Sequence, residues 1–111
     1  MSEEIHIGAT LAELGVSLPE HDRALVVTDS NVQCLLPEIL RGTVLDELPV
    51  AVIEDGEENK TLDSAAHLWR EMQRHGLTRS SIVVNVGGGM VTDIGGFAAA
   101  TYKRGLRFVN V

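Results

Sequence analysis

Val83-Val84-Asn85-Val86-Gly87-Gly88-Gly89-Met90-Val91-Thr92-Asp93-Ile94-Gly95-Gly96-Phe97 decides how this chain is read. An apolar, β-branched strand runs straight into three consecutive glycines, and a helix with an early aspartate follows. Without Cβ atoms, Gly87, Gly88 and Gly89 can take positive φ values and let a bulky anion approach the main chain. The next helix then presents unpaired N–H groups and the positive end of its dipole. This is a seat for a phosphate or pyrophosphate, and it points to a nucleotide cofactor. A tight strand-to-helix turn without a ligand is the plainer reading of the same residues. The spacing departs from the common dinucleotide fingerprint, because Thr92 stands where a third glycine would fall and the strand is a late one.

Working outward, Ile5-His6-Ile7 is a short strand candidate and Ala24 to Thr28 a stronger one, ending at Asp29-Ser30-Asn31. Those polar residues suit a helix N-terminus, and the segment from Val32 to Leu40 reads as helical, with Pro37 near its start or kinking it. Val50 to Ile53 is a third strand, turning at Glu54-Asp55-Gly56. Thr61 to His75 reads as an amphipathic helix with Leu62, Ala65, Ala66, Trp69 and Met72 as its apolar stripe. Asn59 or Thr61 can cap it, and Gly76 is placed to end it. Ser81 to Val86 is the fourth strand, Met90 to Lys103 a helix, and Arg107 to Val111 a fifth strand. The alternation predicts an α/β fold: a Rossmann-like, mostly parallel sheet flanked by helices.

Composition limits the functions available. A chain of 111 residues suits one domain. Its 44% hydrophobic and 23% charged residues describe a globular chain, not a disordered one. A net charge of −7 argues against nucleic acid or an anionic membrane as partner. It leaves room for a small anionic ligand held by backbone dipoles. No signal peptide or membrane-length apolar run is visible, and Cys34 stands alone, so a cytoplasmic, reducing setting is expected. His6, His21, His67 and His75 lack metal-ligand spacing, and His67 and His75 read as helix-surface residues.

Between Ser80 and Lys103 the ionisable groups are Asp93 and Tyr102, so the helix from Ile94 to Thr101 has almost no polar face. A helix apolar all round is a buried helix. The sheet can cover one side, so cover from outside these residues is expected on the other, and the chain reads as part of a larger protein.

Three blocks carry a family resemblance. The stretch from Gly87 to Gly105 closely resembles the glycine-rich signature of the 3-dehydroquinate synthase family. Asp55-Gly56-Glu57-Glu58-Asn59-Lys60-Thr61-Leu62 is similar to that family's cofactor loop, and Thr28-Asp29-Ser30-Asn31-Val32 to its first nucleotide-contacting turn. They fall in family order, and the resemblance runs from about Ala24 to Val111.

The resemblance implies an NAD-dependent lyase of the shikimate pathway that also needs a divalent metal, usually zinc. Such enzymes convert 3-deoxy-D-arabino-heptulosonate 7-phosphate to 3-dehydroquinate and phosphate, with NAD accepting and returning a hydride. Family members pair an N-terminal nucleotide-binding α/β domain with a larger helical domain that holds the metal ligands and most substrate-binding lysines. Residues 1–111 then correspond to the NAD-binding domain, expected to be inactive by itself, within an enzyme expected to be a homodimer.

Carried over by position, the resemblance places Gly88, Gly89 and the Met90 backbone on the pyrophosphate and turns Asp93 toward the ribose or nicotinamide. It puts Asp29 and Asn31 on the adenine side of NAD, Glu57 and Lys60 on the nucleotide, and Arg104 on the substrate phosphate, either within one subunit or across a dimer interface. Each has a plainer reading. Asp93 can offset a helix dipole, Asp29 and Asn31 can be caps, Glu57 and Lys60 an exposed ion pair, and Arg104 a C-terminal cap. Other sugar-phosphate cyclases, a metal-dependent polyol dehydrogenase and a noncatalytic nucleotide-binding module are the alternatives.

Overall fold

Runs of β-branched residues form the two central strands here, and every residue of both is buried. A computed structural model describes residues 4–6, 22–41, 48–54 and 62–110. Its strands are β1 (Glu4–His6), β2 (Ala24–Asp29), β3 (Val50–Ile53), β4 (Ile82–Asn85) and β5 (Arg107–Asn110). Its helices are α1 (Ser30–Gln33), α2 (Leu36–Ile39), α3 (Leu62–Arg74) and α4 (Gly89–Thr101). The strands form one sheet in the order β1-β5-β4-β2-β3, and every pairing is parallel. β1 includes Ile5 and His6 of the strand expected at Ile5 to Ile7, and Ile7 lies outside the described residues.

Alternate side chains of the central strands feed two cores. Leu25, Val27 and Val83 pack with Leu68 and Met72 of α3 and with Val91, Ile94, Ala98 and Ala99 of α4. Ala24, Val26 and Val84 pack with Leu36 and Leu40 on the other face. This follows from handedness: β2 to β3 steps one way along the sheet, and β3 to β4 to β5 steps the other way. Right-handed crossovers therefore place α1 and α2 on one face and α3 and α4 on the opposite one.

Three local expectations are corrected. The helix expected from Val32 to Leu40 is two single turns, broken at Cys34 and Leu35, where the Leu35 amide donates to Val32 O in a tighter i−3 bond. Pro37 has no N–H to continue the first ladder and sits comfortably in the first turn of the second helix. On α3 the fully buried residues are Ala65, Leu68 and Met72, whereas Leu62 is 67% exposed. The stripe is therefore rotated toward Leu68, with Ala66 and Trp69 on its half-buried flank. The third correction concerns the end of α4, which stops at Thr101 and gives way to a 3₁₀ turn, Tyr102–Arg104. There Lys103 adopts left-handed φ and ψ of 45° each, so the helix cannot run through it.

Little of α4 is left uncovered. Val91, Ile94, Gly95, Gly96, Ala98 and Ala99 are buried against the sheet and α3, leaving a narrow exposed stripe of Asp93, Phe97, Ala100 and Thr101. Trp69 closes the α3–α4 seam, its indole N–H donating to Ala98 O at 3.2 Å and to Thr101 Oγ1 at 3.0 Å. Much of the cover that the sequence led us to expect from elsewhere is thus supplied by α3.

Candidate nucleotide seat at the sheet's carboxyl edge

The reversal of direction between β2 and β4 creates a switch point, and in open parallel sheets ligands bind outside the carboxyl ends of the strands at such a point. The sequence elements singled out above emerge there. β2 ends at Asp29, and the Val86 amide, just past β4, donates to Val27 O at 2.8 Å. Thr28, fully buried, donates from Oγ1 to Val86 O at 2.8 Å. Those two bonds hold the exit of β4 beside the exit of β2, so Asp29 and the glycine turn share one edge.

The turn itself is built for close approach. Gly87 has φ of +155°, and a Cβ there would lie 2.7 Å from Val91 Cγ2, so both conformation and space select glycine. Of the three glycines that could take positive φ, Gly88 and Gly89 do not. Their role is openness: a Cβ on either would find nothing within 4 Å among the described residues. Gly88 is the N-cap of α4 and makes no side-chain cap bond, so the cap residue itself leaves the helix tip free. The first amides of α4 lack intrahelical acceptors and face this open space with the helix dipole behind them. That arrangement fits a pyrophosphate.

Around the seat, the other candidates separate. Met90 follows directly in the first turn of α4, half-buried against the core. Asp93 is exposed and lies beyond the first turn, which holds no acid. Its charge therefore has little hold on the helix tip, and the dipole-offset reading loses its basis. Asp29 is 8% exposed and accepts from the Val32 amide at 2.8 Å, so the cap role is real. Asn31 is exposed in α1, and its carbonyl accepts from Cys34 Sγ at 3.3 Å. Glu57 and Lys60 lie outside the described residues.

Arg104 is in the 3₁₀ turn after α4, at the far end of a helix of 13 residues. A helix of that length spans about 20 Å, so Arg104 sits near the opposite edge of the sheet from the glycine turn.

Two features escaped the sequence reading. His67 is not a free surface residue: it is half-buried, with Nε2 3.1 Å from Val52 O. It lines a pocket of about 330 Å3 at the end of β3 with Val52, Ile53, Glu54, Asp63 and Ser64, on the same carboxyl edge. Asn85, fully buried, donates from Nδ2 to Asn110 Oδ1 at 3.0 Å. A lone amide in the run Ile82-Val83-Val84 was the signal for it.

Comparison with known proteins agrees with this geometry. The chain is 38% identical over 93 residues to 3-dehydroquinate synthase of Parabacteroides distasonis, covering 83% of this chain and 26% of that one. It is 40% identical over 119 residues to 3-dehydroquinate synthase of Ruminiclostridium cellulolyticum, covering 99% and 32%. Among solved structures it resembles 2-deoxy-scyllo-inosose synthase complexed with carbaglucose-6-phosphate, NAD+ and Co2+ (TM-score 0.72, 25% identity, 97% of this chain and 31% of that one). The chain thus spans a quarter to a third of the length of the relatives it matches. Residues 50–111, from β3 through the glycine turn to the last strand, match the family model for the N-terminal part of 3-dehydroquinate synthase, and the chain belongs to that family.

Proposed function

We propose that this chain is the NAD-binding domain of a 3-dehydroquinate synthase, the lyase that converts 3-deoxy-D-arabino-heptulosonate 7-phosphate to 3-dehydroquinate and phosphate in the shikimate pathway. The observation that carries this reading is the open helix tip at Gly88 and Gly89, at the switch point between β2 and β4. NAD+, when bound, supplies a reversible hydride acceptor. The chain's own part is to hold and orient it: α4 amides on the pyrophosphate, Asp29 and Asn31 on the adenine side, Glu57 and Lys60 on the nucleotide, and Asp93 toward the ribose or nicotinamide. The pocket beside His67, with Glu54, Asp63 and Ser64 in its lining, gives the same edge further room for hydroxyl-bearing groups. The metal, zinc by the family resemblance, belongs in this reading to the helical domain; among the described residues no cluster of three His, Cys, Asp or Glu could hold one.

Arg104 takes the substrate phosphate in this reading. Because it lies a helix length from the glycine turn, it serves the same ligand most simply when contributed by a second copy, which favours a homodimer. The setting we propose is cytoplasmic; among the described residues no helix is long and apolar enough to cross a membrane.

Titration of the chain with NAD+ by calorimetry tests the cofactor assignment, and saturable one-to-one binding is expected. Phosphate release from the sugar phosphate is expected to be absent with this chain alone. Steady turnover by it would overturn the domain assignment, and absence of NAD+ binding would overturn the functional one.

A further inference from the structure

Asn85 is fully buried in an otherwise apolar strand, and nothing in the proposed function uses it. Its Nδ2 bond to Asn110 Oδ1 ties the neighbouring ends of β4 and β5 through their side chains. Its Oδ1 has no hydrogen-bond partner among the described residues. A buried acceptor without a donor is rare and costly, so it calls for a reason.

The reason lies on α4. Oδ1 stands 1.9 Å from the point where a Cβ on residue 95 would be, and glycine there leaves that space open. A similar contact sits nearer the seat, where Gly87 closes on Val91. The helix is therefore held close at two points, by the glycine turn itself at Val91 and by the last residue of β4 at Gly95. An amide is flat and directional, so a neighbour can fix its plane; a leucine or valine is bulkier and carries no such restraint.

We propose that Asn85 is a positioning residue for the nucleotide seat: its amide, held by Asn110, bears on the bare backbone of Gly95 and sets where the first amides of α4 stand over the glycine turn. This rests on the nucleotide reading above but makes a separate demand. Asn85 touches no ligand; it acts through the placement of α4.

The test is a double-mutant cycle of Asn85→Ala and Gly95→Ala, with NAD+ affinity by calorimetry, fold by circular dichroism, and amide NMR shifts of residues 87–90 without ligand. Asn85→Ala should keep the fold, weaken NAD+ binding several-fold and move the amide signals of the turn. Gly95→Ala should weaken binding ten-fold or more, because its methyl meets Oδ1. The double variant should recover most of that loss, the methyl now filling the space Asn85 vacates. The proposal fails if Asn85→Ala binds NAD+ as wild type with unmoved turn signals, or if the double variant is no better than Gly95→Ala. Should Gly95→Ala not fold, Asn85→Ala and the double variant decide by the same two criteria. Should the wild type itself not bind NAD+, the functional proposal fails, while the amide shifts still decide whether Asn85 and Gly95 set the turn.

Discussion

The Asp29 carboxylate accepts a hydrogen bond from the Val32 amide at 2.8 Å, so an acid almost out of solvent at the end of β2 is also the cap of α1. A single-turn helix of four residues has little else to hold it. Asp29→Ala should therefore destabilise the chain by about 1 kcal/mol, the usual loss for a removed N-cap. Asp29→Asn keeps an accepting oxygen and should unfold at nearly the wild-type midpoint. If Asp29 also accepts from a ribose, Asp29→Ala should lower NAD+ affinity beyond what its stability loss explains. Chemical unfolding and calorimetry on the two variants measure both effects.

Leucines 62 and 68 lie on the same helix and differ sharply in burial: Leu68 is fully buried and Leu62 is 67% exposed. Leu68→Ala should cost about 2–5 kcal/mol, the range for emptying a packed core position. Leu62→Ala should change stability by less than about 0.5 kcal/mol, as surface substitutions do. The single Trp69, in the α3–α4 seam, makes fluorescence a direct probe for both transitions.

Periodicity found α3 but misjudged which leucine it buries, because a stripe through Leu62, Ala65, Trp69 and Met72 fits helical spacing nearly as well as one through Ala65, Leu68 and Met72. Only packing against β3, β4 and α4 distinguishes them. The glycine turn was legible because three glycines between a β-branched strand and an apolar helix leave few other structures. Which glycine bears the strain was not, since that depends on Val91 reaching back over Gly87. The break between α1 and α2 needed Pro37 to be weighed as a stop for one helix and a start for the next. Asn85 could be noticed as an oddity, but its meaning depends on Gly95, ten residues away along the chain and beside it in space.

At the opposite edge of the sheet, Asp22 accepts from Ser81 Oγ at 2.6 Å, from Thr78 Oγ1, and from the Arg23 amide at 2.6 Å. The Ser81 hydroxyl first, then that of Thr78, hold its pKa below the ordinary value of 3.8. A depressed carboxylate pKa favours the folded state fully above the unfolded value, and that contribution disappears as pH falls through the folded value. Stability should therefore begin to drop as pH is lowered past 3.8, and Asp22→Asn should show a flatter acid limb while remaining less stable than wild type near neutrality. Urea unfolding of both proteins along a pH series gives the two slopes.

The glycine turn allows stability and binding to be pulled apart, because its residues are glycines for different reasons. Alanine at 87 must hold φ near +155° and place its methyl 2.7 Å from Val91 Cγ2. Strain of that kind costs roughly 1–3 kcal/mol, so Gly87→Ala should lose stability whether or not a ligand binds. Among the described residues, alanine at 89 meets no atom within 4 Å, and its φ is not positive, so the fold has no objection to it. A helix also favours alanine over glycine intrinsically, so Gly89→Ala should melt at or slightly above the wild-type temperature. The new methyl nevertheless stands in the open space at the tip of α4, where a pyrophosphate must come within hydrogen-bonding distance of the amides. A loss of two such bonds, each about 1.5 kcal/mol when the acceptor is charged, would weaken NAD+ binding by about a hundred-fold. Thermal melts and NAD+ titrations of the two variants give the comparison. A Gly89→Ala protein that binds NAD+ as tightly as wild type would mean that the open space at the helix tip serves something other than a dinucleotide.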